Sequence, residues 1–254
     1  WGHRSTGRRW RRRRRRRGKW RGVRHLVLAG GGHAHLHLLK QAARIPPPAG
    51  TTLTLVSPDP HPAYSGMVPG YLQGHYRGEE LSFDLPALTG RAGIRFVEGW
   101  VREVSVAEGT VRVEQGGQAA PLDLPFHRLS LDVGSVPRGL DLPGVREHAV
   151  PLRPLARVRE LRDRLDALAA GGGPIAVVVV GGGAAGVETV LALHRRLAEL
   201  RRQGKGPPPG GDRFLLVEGG DRILRDDAPR AQRTALRVLK GRVEVVTGAP
   251  VARV

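Results

Sequence analysis

Val180-Gly181-Gly182-Gly183-Ala184-Ala185-Gly186-Val187-Glu188 is the stretch on which the reading of this 254-residue chain turns. Gly181, Gly183 and Gly186 follow the spacing G-x-G-x-x-G. Each glycine has a separate reason to be there. Gly181 permits a tight turn, Gly183 lets the backbone approach a pyrophosphate, and Gly186 lets a helix pack closely on the preceding strand. The pyrophosphate sits on the positive end of a helix that starts near Ala184.

The surroundings agree with this reading. Ile175 to Val180 is an unbroken apolar run rich in β-branched residues, as expected of a strand buried on both faces. Ala184 to Arg202 reads as a long helix. Phe214 to Val217 reads as the next strand, ending at Glu218. An acid there suits hydrogen bonding to a ribose diol, although it lies further from Gly183 than the usual spacing of about 20 residues. The Pro/Gly-rich loop 204–211 accounts for the excess. Glu218 repels a 2′-phosphate and favours NADH over NADPH, whereas an inward-turned Arg222 reverses that preference.

The pattern occurs a second time, upstream. His25 to Ala29 is a short strand, Gly30-Gly31-Gly32 breaks it, and His33 to Ala43 has helical composition before Pro46-Pro47-Pro48. Thr52 to Val56 is the following strand. Gly30 and Gly32 allow phosphate approach, but His35 holds the third glycine position, so the helix must open to admit an imidazole. The ribose acid is also missing: Ser57 ends the strand and Asp59 follows two residues later. His33, His35 and His37 raise a metal reading. Only 33 and 37 share a helix face and no carboxylate partner is apparent, so packing or cofactor contact is preferred and no metal site is assigned.

Between the two units, residues 93–131 are β-rich, with strands expected at Ile94–Val97, Val101–Val106, Val111–Val113 and Phe126–Leu131. Leu155 to Ala170 is a helix, Ala228 to Leu239 another, and Val243 to Val246 a strand. The fold class is therefore α/β: two Rossmann-like three-layer units with parallel sheets, joined by a β-rich connection.

Composition narrows the chemistry. The chain has no cysteine, which removes disulfides, Cys-based metal sites and redox-active Cys pairs. Redox chemistry must then run through a bound cofactor. No apolar run reaches 18 residues, so no transmembrane segment is expected, and no secretory signal is expected either. The expected location is cytoplasmic. Of the net charge of +19, residues 1–24 hold thirteen positive charges and no acid, leaving +6 for the remaining 230 residues. The Arg-rich tail, residues 1–22, is expected to be disordered. It is open to three readings: a non-native extension, an organelle-targeting segment, or an arm for nucleic acid or an anionic membrane.

Two dinucleotide units in this order resemble the pyridine nucleotide-disulfide oxidoreductase superfamily, including type II NADH dehydrogenases. Three segments are similar to one subgroup, the flavoprotein domain found fused to selenide, water dikinase. They are Gly30-Gly31-Gly32-His33-Ala34-His35, Pro62-Ala63-Tyr64-Ser65-Gly66-Met67-Val68-Pro69-Gly70, and Leu129-Ser130-Leu131-Asp132-Val133-Gly134-Ser135. The resemblance covers about residues 23–254. It implies an FAD-binding domain at 23–150 and an NAD(P)-binding domain at 151–254. It also implies FAD at Gly30, Gly31, Gly32 and His33, with Ser57 and Asp59 at the adenosine ribose. Ser65 and Gly66 belong to a loop near the isoalloxazine, and Gly134 to the segment that returns the chain to the flavin domain. NAD(P)H falls at Gly181, Gly183, Ala184, Gly186 and Glu218. Glu188 matches a residue near the nicotinamide–flavin junction and is the candidate positioning or proton-relay group.

The activity so implied is hydride transfer from NAD(P)H to FAD, with NADH favoured. Electrons then pass to a small external acceptor such as a quinone. Peripheral membrane contact and the oligomeric state stay open. The superfamily returns to its flavin domain after the nicotinamide domain. The resemblance thus implies a flavin domain without its closing segment and a partly uncovered sheet. Two competing readings are a basic-tailed binding module for nucleic acid and a non-catalytic NAD-binding remnant.

Overall fold

Two runs of strand, glycine turn and helix organise the molecule, seen here in a computed structural model that describes residues 22–117, 119–154, 157–204 and 211–254. The first unit opens with β1 (Arg24–Ala29), α1 (His33–Ala42) and β2 (Thr51–Ser57). A 3-10 turn at Ser65–Met67 leads into α2 (Val68–Gln73), and α3 (Leu85–Arg91) follows. The Asp84 carboxylate caps α3, accepting from the Ala87 amide at 2.8 Å. Then come β3 (Arg95–Glu98), β4 (Trp100–Ser105), β5 (Thr110–Glu114), β6 (Leu122–Pro125) and β7 (Arg128–Leu131). The short α4 (Val145–His148) leads to the second unit. It comprises α5 (Arg157–Ala170), β8 (Ala176–Val180), α6 (Ala184–Arg202), β9 (Arg213–Val217), α7 (Pro229–Leu239) and β10 (Glu244–Val246).

Three sheets result. One has the order β3-β2-β1-β7 and is parallel throughout. The second, β10-β9-β8, is also parallel. The third, β4-β5-β6, is antiparallel. Strand alternation sorts the first sheet into two apolar faces. Leu28 and Leu55 pack with Leu39 of α1 and Leu85 of α3. Val27 and Val56 pack with Val111, Val113 and Leu124 of the antiparallel sheet. Each such buried side chain contributes about 1.5–3 kcal/mol. The expected strand at Phe126–Leu131 begins later, at Arg128: residues 122–125 pair with β5 and 128–131 with β1, so the chain changes sheets at 126–127.

The second unit differs in one respect. Val177 and Val179 are half-buried, but Val178 and Val180 are 56% and 57% exposed, so β8 is not buried on both faces. Period-2 burial replaces the expected two-sided burial because α6 covers one face only. β8 is an edge strand among the described residues, while β1 is flanked by β2 and β7.

Sequence reading did not foresee how the units join. Val68, Tyr71 and Leu72 of α2 share one core with Val190, Leu193 and Leu197 of α6. The Arg162 guanidinium of α5 lies 4.5 Å from the Tyr71 ring centroid and donates to the carbonyls of Tyr71 and Tyr76. The helix expected from Leu155 is seen from Arg157, because 155 and 156 lie outside the described residues. The tail at 1–21 and most of the 204–211 loop lie outside them too.

Candidate functional site

The second glycine turn is built by backbone bonds from both neighbouring segments. Gly181 has φ +106° and donates to the Val217 carbonyl at 2.8 Å. A Cβ at Gly186 would stand 1.8 Å from the Gly181 carbonyl oxygen, so α6 seats on the turn only with glycine there. Gly183 is different: a Cβ there would meet nothing within 4 Å. Among the described residues nothing accepts from the N–H groups of Gly183, Ala184 or Ala185. An open glycine face beneath free amides, at the start of a 19-residue helix, has the shape and polarity of an anion cradle.

Glu218, the residue after β9, borders this cradle. Its carboxylate accepts from the Gly182 amide at 2.6 Å and from the Gly220 amide at 2.7 Å. The Gly220 bond, then the Gly182 bond, hold its pKa below the ordinary carboxylate value, and the Arg225 charge adds to this. Arg225, not Arg222, is therefore the cation whose charge reaches the acid. Residues 219–225 fold over the turn: the Leu224 amide donates to the Gly182 carbonyl at 2.8 Å, with Leu224 at φ +50°. Because the folded pKa of Glu218 is depressed, its stabilising contribution is present above the unfolded pKa and lost as pH falls through the lowered one. Thermal unfolding of Glu218→Gln is expected to lie below wild type at neutral pH and to converge with it in acid.

The first turn has the same frame and a different filling. Gly30 has φ +100° and its amide donates to the Val56 carbonyl at 2.8 Å. His35, at the third glycine position, is 2% exposed. Its Nδ1 lies 2.6 Å from the Gly30 carbonyl oxygen and its Nε2 2.9 Å from Ser130 Oγ. The assigned tautomer has Nδ1–H donating to the carbonyl and the Ser130 hydroxyl donating to Nε2. In the second unit the matching carbonyl, that of Gly181, packs against the glycine at 186. Here an imidazole binds it instead. His35→Ala leaves that carbonyl and the Ser130 hydroxyl unpaired and is expected to cost about 1–3 kcal/mol, read from denaturant unfolding.

Ser57 and Asp59 turn to each other. The Ser57 hydroxyl donates to the Asp59 carbonyl at 2.8 Å, and Asp59 Oδ1 accepts from the His61 amide at 2.8 Å. Gly31 backs onto Ser57: a Cβ there would lie 3.2 Å from Ser57 Oγ. The acid that reaches the first turn comes instead from the far side of β1. Asp132, just after β7, accepts from the Ala34 amide at 2.9 Å and the His35 amide at 3.3 Å. A Cβ at Gly32 would lie 2.3 Å from the Asp132 carboxyl carbon. The N–H groups of Gly31, Gly32 and His33 have no partner among the described residues.

Tyr64 brings the 64–70 segment to this turn, its ring 4.5 Å from that of His33 and edge-on to Phe83. Ser65 and Gly66 follow it in the 3-10 turn, with Gly66 against the Tyr64 ring. Gly134 has φ +75° and lies two residues beyond Asp132. Glu188 is exposed on α6, with no side-chain partner among the described residues. Sequence reading missed the carboxylate of Asp132, the ring of Tyr64 and the 219–225 loop. The only signal for the first two was their place inside the quoted motifs. Among the described residues no group of three or more His, Asp or Glu is placed to hold a metal. No helix among them is long and apolar enough to cross a membrane.

The residues of the second turn fit a nicotinamide dinucleotide, with free amides for the pyrophosphate and Glu218 for the ribose. Those of the first turn fit a second dinucleotide apart from the carboxylate over Gly32. Solved structures share this fold. NDH2 from Plasmodium falciparum in complex with NADH superposes with a TM-score of 0.76 at 14% identity, covering 91% of this chain and 49% of that one. The sulfide:quinone oxidoreductase of Aquifex aeolicus gives 0.70 at 18% identity, covering 91% and 52%. The water-forming NADH oxidase from Lactobacillus brevis, bound to NADH, gives 0.68 at 18%, covering 91% and 48%. This chain thus spans about half the length of these structures. No curated protein sequence matches it. The family model for pyridine nucleotide-disulphide oxidoreductases matches residues 24–254, and with both glycine turns in place the chain belongs to that family.

Proposed function

We propose that this chain forms the nucleotide-binding part of an FAD-dependent NAD(P)H oxidoreductase in which NADH is the favoured donor. The observation that carries the reading is the second turn: an open Gly183 face, free helix amides and an ionised Glu218 in one place. Residues 151–254 hold NADH through Gly181, Gly183, Ala184, Gly186 and Glu218. Residues 23–150 hold FAD through Gly30, Gly31, Gly32 and His33, with Ser57 and Asp59 toward the ribose and Ser65, Gly66 and Gly134 lining the approach. The chemistry FAD supplies when bound is acceptance of a hydride and release of its electrons to an external acceptor.

The chain's own part is to bind and orient the nucleotides. Glu218 accepts the ribose hydroxyls and repels a 2′-phosphate. Glu188 has a free carboxylate one turn into α6, which suits a positioning or proton-relay role at the nicotinamide. These 254 residues hold no cysteine to take the electrons, which favours a separate small-molecule acceptor. The sulfide:quinone oxidoreductase among the similar structures supports a quinone-like one. Kinship with the flavoprotein domain fused to selenide, water dikinase rests on the three motifs alone.

The test is to incubate the purified chain with FAD, remove the excess and add NADH or NADPH. Retained flavin absorbance that NADH bleaches faster than NADPH is the expected result. Binding of NADH by a chain that takes up no FAD would reduce the reading to a nicotinamide-binding fold without flavin chemistry. Glu218→Gln is expected to weaken NADH about tenfold and to erase the preference over NADPH, since a hydrogen bond to a charged group is worth about 1.5–3 kcal/mol.

A further inference from the structure

The two glycine turns are near-copies in backbone and opposites in what stands over them. A Cβ built on Gly183 meets open space, whereas one built on Gly32 meets the Asp132 carboxyl group, with both oxygens and the carbon within 2.4 Å. That carboxylate accepts from two amides in the first turn of α1, those of Ala34 and His35. Its main chain is fixed. The Asp132 amide donates to the Ala29 carbonyl at 2.8 Å, and its own carbonyl oxygen lies where a Cβ of Gly30 would be. Only the side chain is free to turn away.

We propose that Asp132 is an internal anion that competes with the FAD diphosphate for the first turn, and so sets how tightly this chain holds FAD. The inference rests on the reading of Gly30–Gly32 as the FAD turn. A diphosphate approaching the free amides of Gly31, Gly32 and His33 meets a like charge at contact distance on the same helix end. Entry requires that the carboxylate give up its two amide bonds and swing out. The second turn has no such gate, because its acid, Glu218, is held to the side by Gly182 and Gly220. The chain therefore takes NADH more readily than FAD, although both turns carry the glycines that a phosphate needs.

The experiment is calorimetric titration of FAD, and separately of NADH, into wild type, Asp132→Asn and Asp132→Ser. Asparagine keeps the size and one acceptor oxygen, and serine keeps a hydroxyl able to cap α1. Neither keeps the charge. Tightening of FAD binding by about tenfold or more in both variants, with NADH affinity unchanged, is the expected result. Unchanged or weaker FAD binding in variants that still bind NADH overturns the proposal and leaves the FAD turn standing. Absence of FAD binding in all three chains, with NADH still bound, overturns the FAD turn and the proposal together. If Asp132→Asn loses NADH binding as well, its fold is lost, and FAD binding by the serine variant then decides between these outcomes.

Discussion

Arg201→Ala is expected to destabilise the chain by about 3–5 kcal/mol, more than the loss expected for His35→Ala. The Arg201 side chain is 1% exposed, and Asp212 beside it 15%. Its guanidinium donates to both Asp212 oxygens, to the Ala169 carbonyl at the end of α5 and to the Gly173 carbonyl before β8. Asp212 in turn accepts from the Ile175 amide at 2.8 Å. One cation thus ties the ends of α5 and α6 to the starts of β8 and β9. Removing it strands a carboxylate and two carbonyls in a poorly solvated place. Arg201→Met is expected to cost less than alanine, because it retains the packing of the stem and leaves the same polar groups unpaired. At about 2–4 °C per kcal/mol for a chain of this size, the midpoint for alanine falls by roughly 10 °C, read by differential scanning calorimetry. A midpoint within about 2 °C of wild type would show that water replaces the guanidinium at no cost.

Gly183→Val and Gly186→Ala are expected to fail in different ways, and the contrast carries the largest functional effect. At Gly183 the side chain enters open space, so folding is retained while the pyrophosphate is blocked. NADH affinity is expected to fall by at least about a hundredfold with the unfolding midpoint unchanged, because the loss is one of backbone approach. At Gly186 the first added carbon stands 1.8 Å from the Gly181 carbonyl oxygen, and α6 must lift off the turn. The cost is about 1–3 kcal/mol, as for other overpacked sites, and NADH affinity falls with it. Titration of NADH beside a melting curve separates the two. Equal behaviour of the two variants would mean that the turn does not discriminate cradle from packing.

Much of this molecule was legible in local chemistry. Glycines at 181, 183 and 186 and the valine run before them are short-range signals. Strand, turn and helix each follow from residues within a few positions of one another. The repeat at Gly30 and Gly32, and the departure at His35, were equally visible, because they too are matters of spacing. The switch of sheets at 126–127 was harder to see, since Phe126-His127-Arg128 has strand composition on both sides of the change.

Contacts between distant residues were decided only in three dimensions. Asp132 meets Ala34 across 98 positions, and no local pattern states that an acid beyond β7 will overlie the first turn. Docking of α2 on α6 likewise joins residues more than a hundred positions apart. The valine run at 177–180 shows the same limit. Its composition demanded a strand, but whether one face or two would be covered depended on what packed against it. The sequence by itself determined where the chain turns and where a helix starts on glycine, because backbone freedom and helix polarity are local. Tertiary structure alone decided which of the two turns stands open, because that depends on a carboxylate delivered from a separate strand.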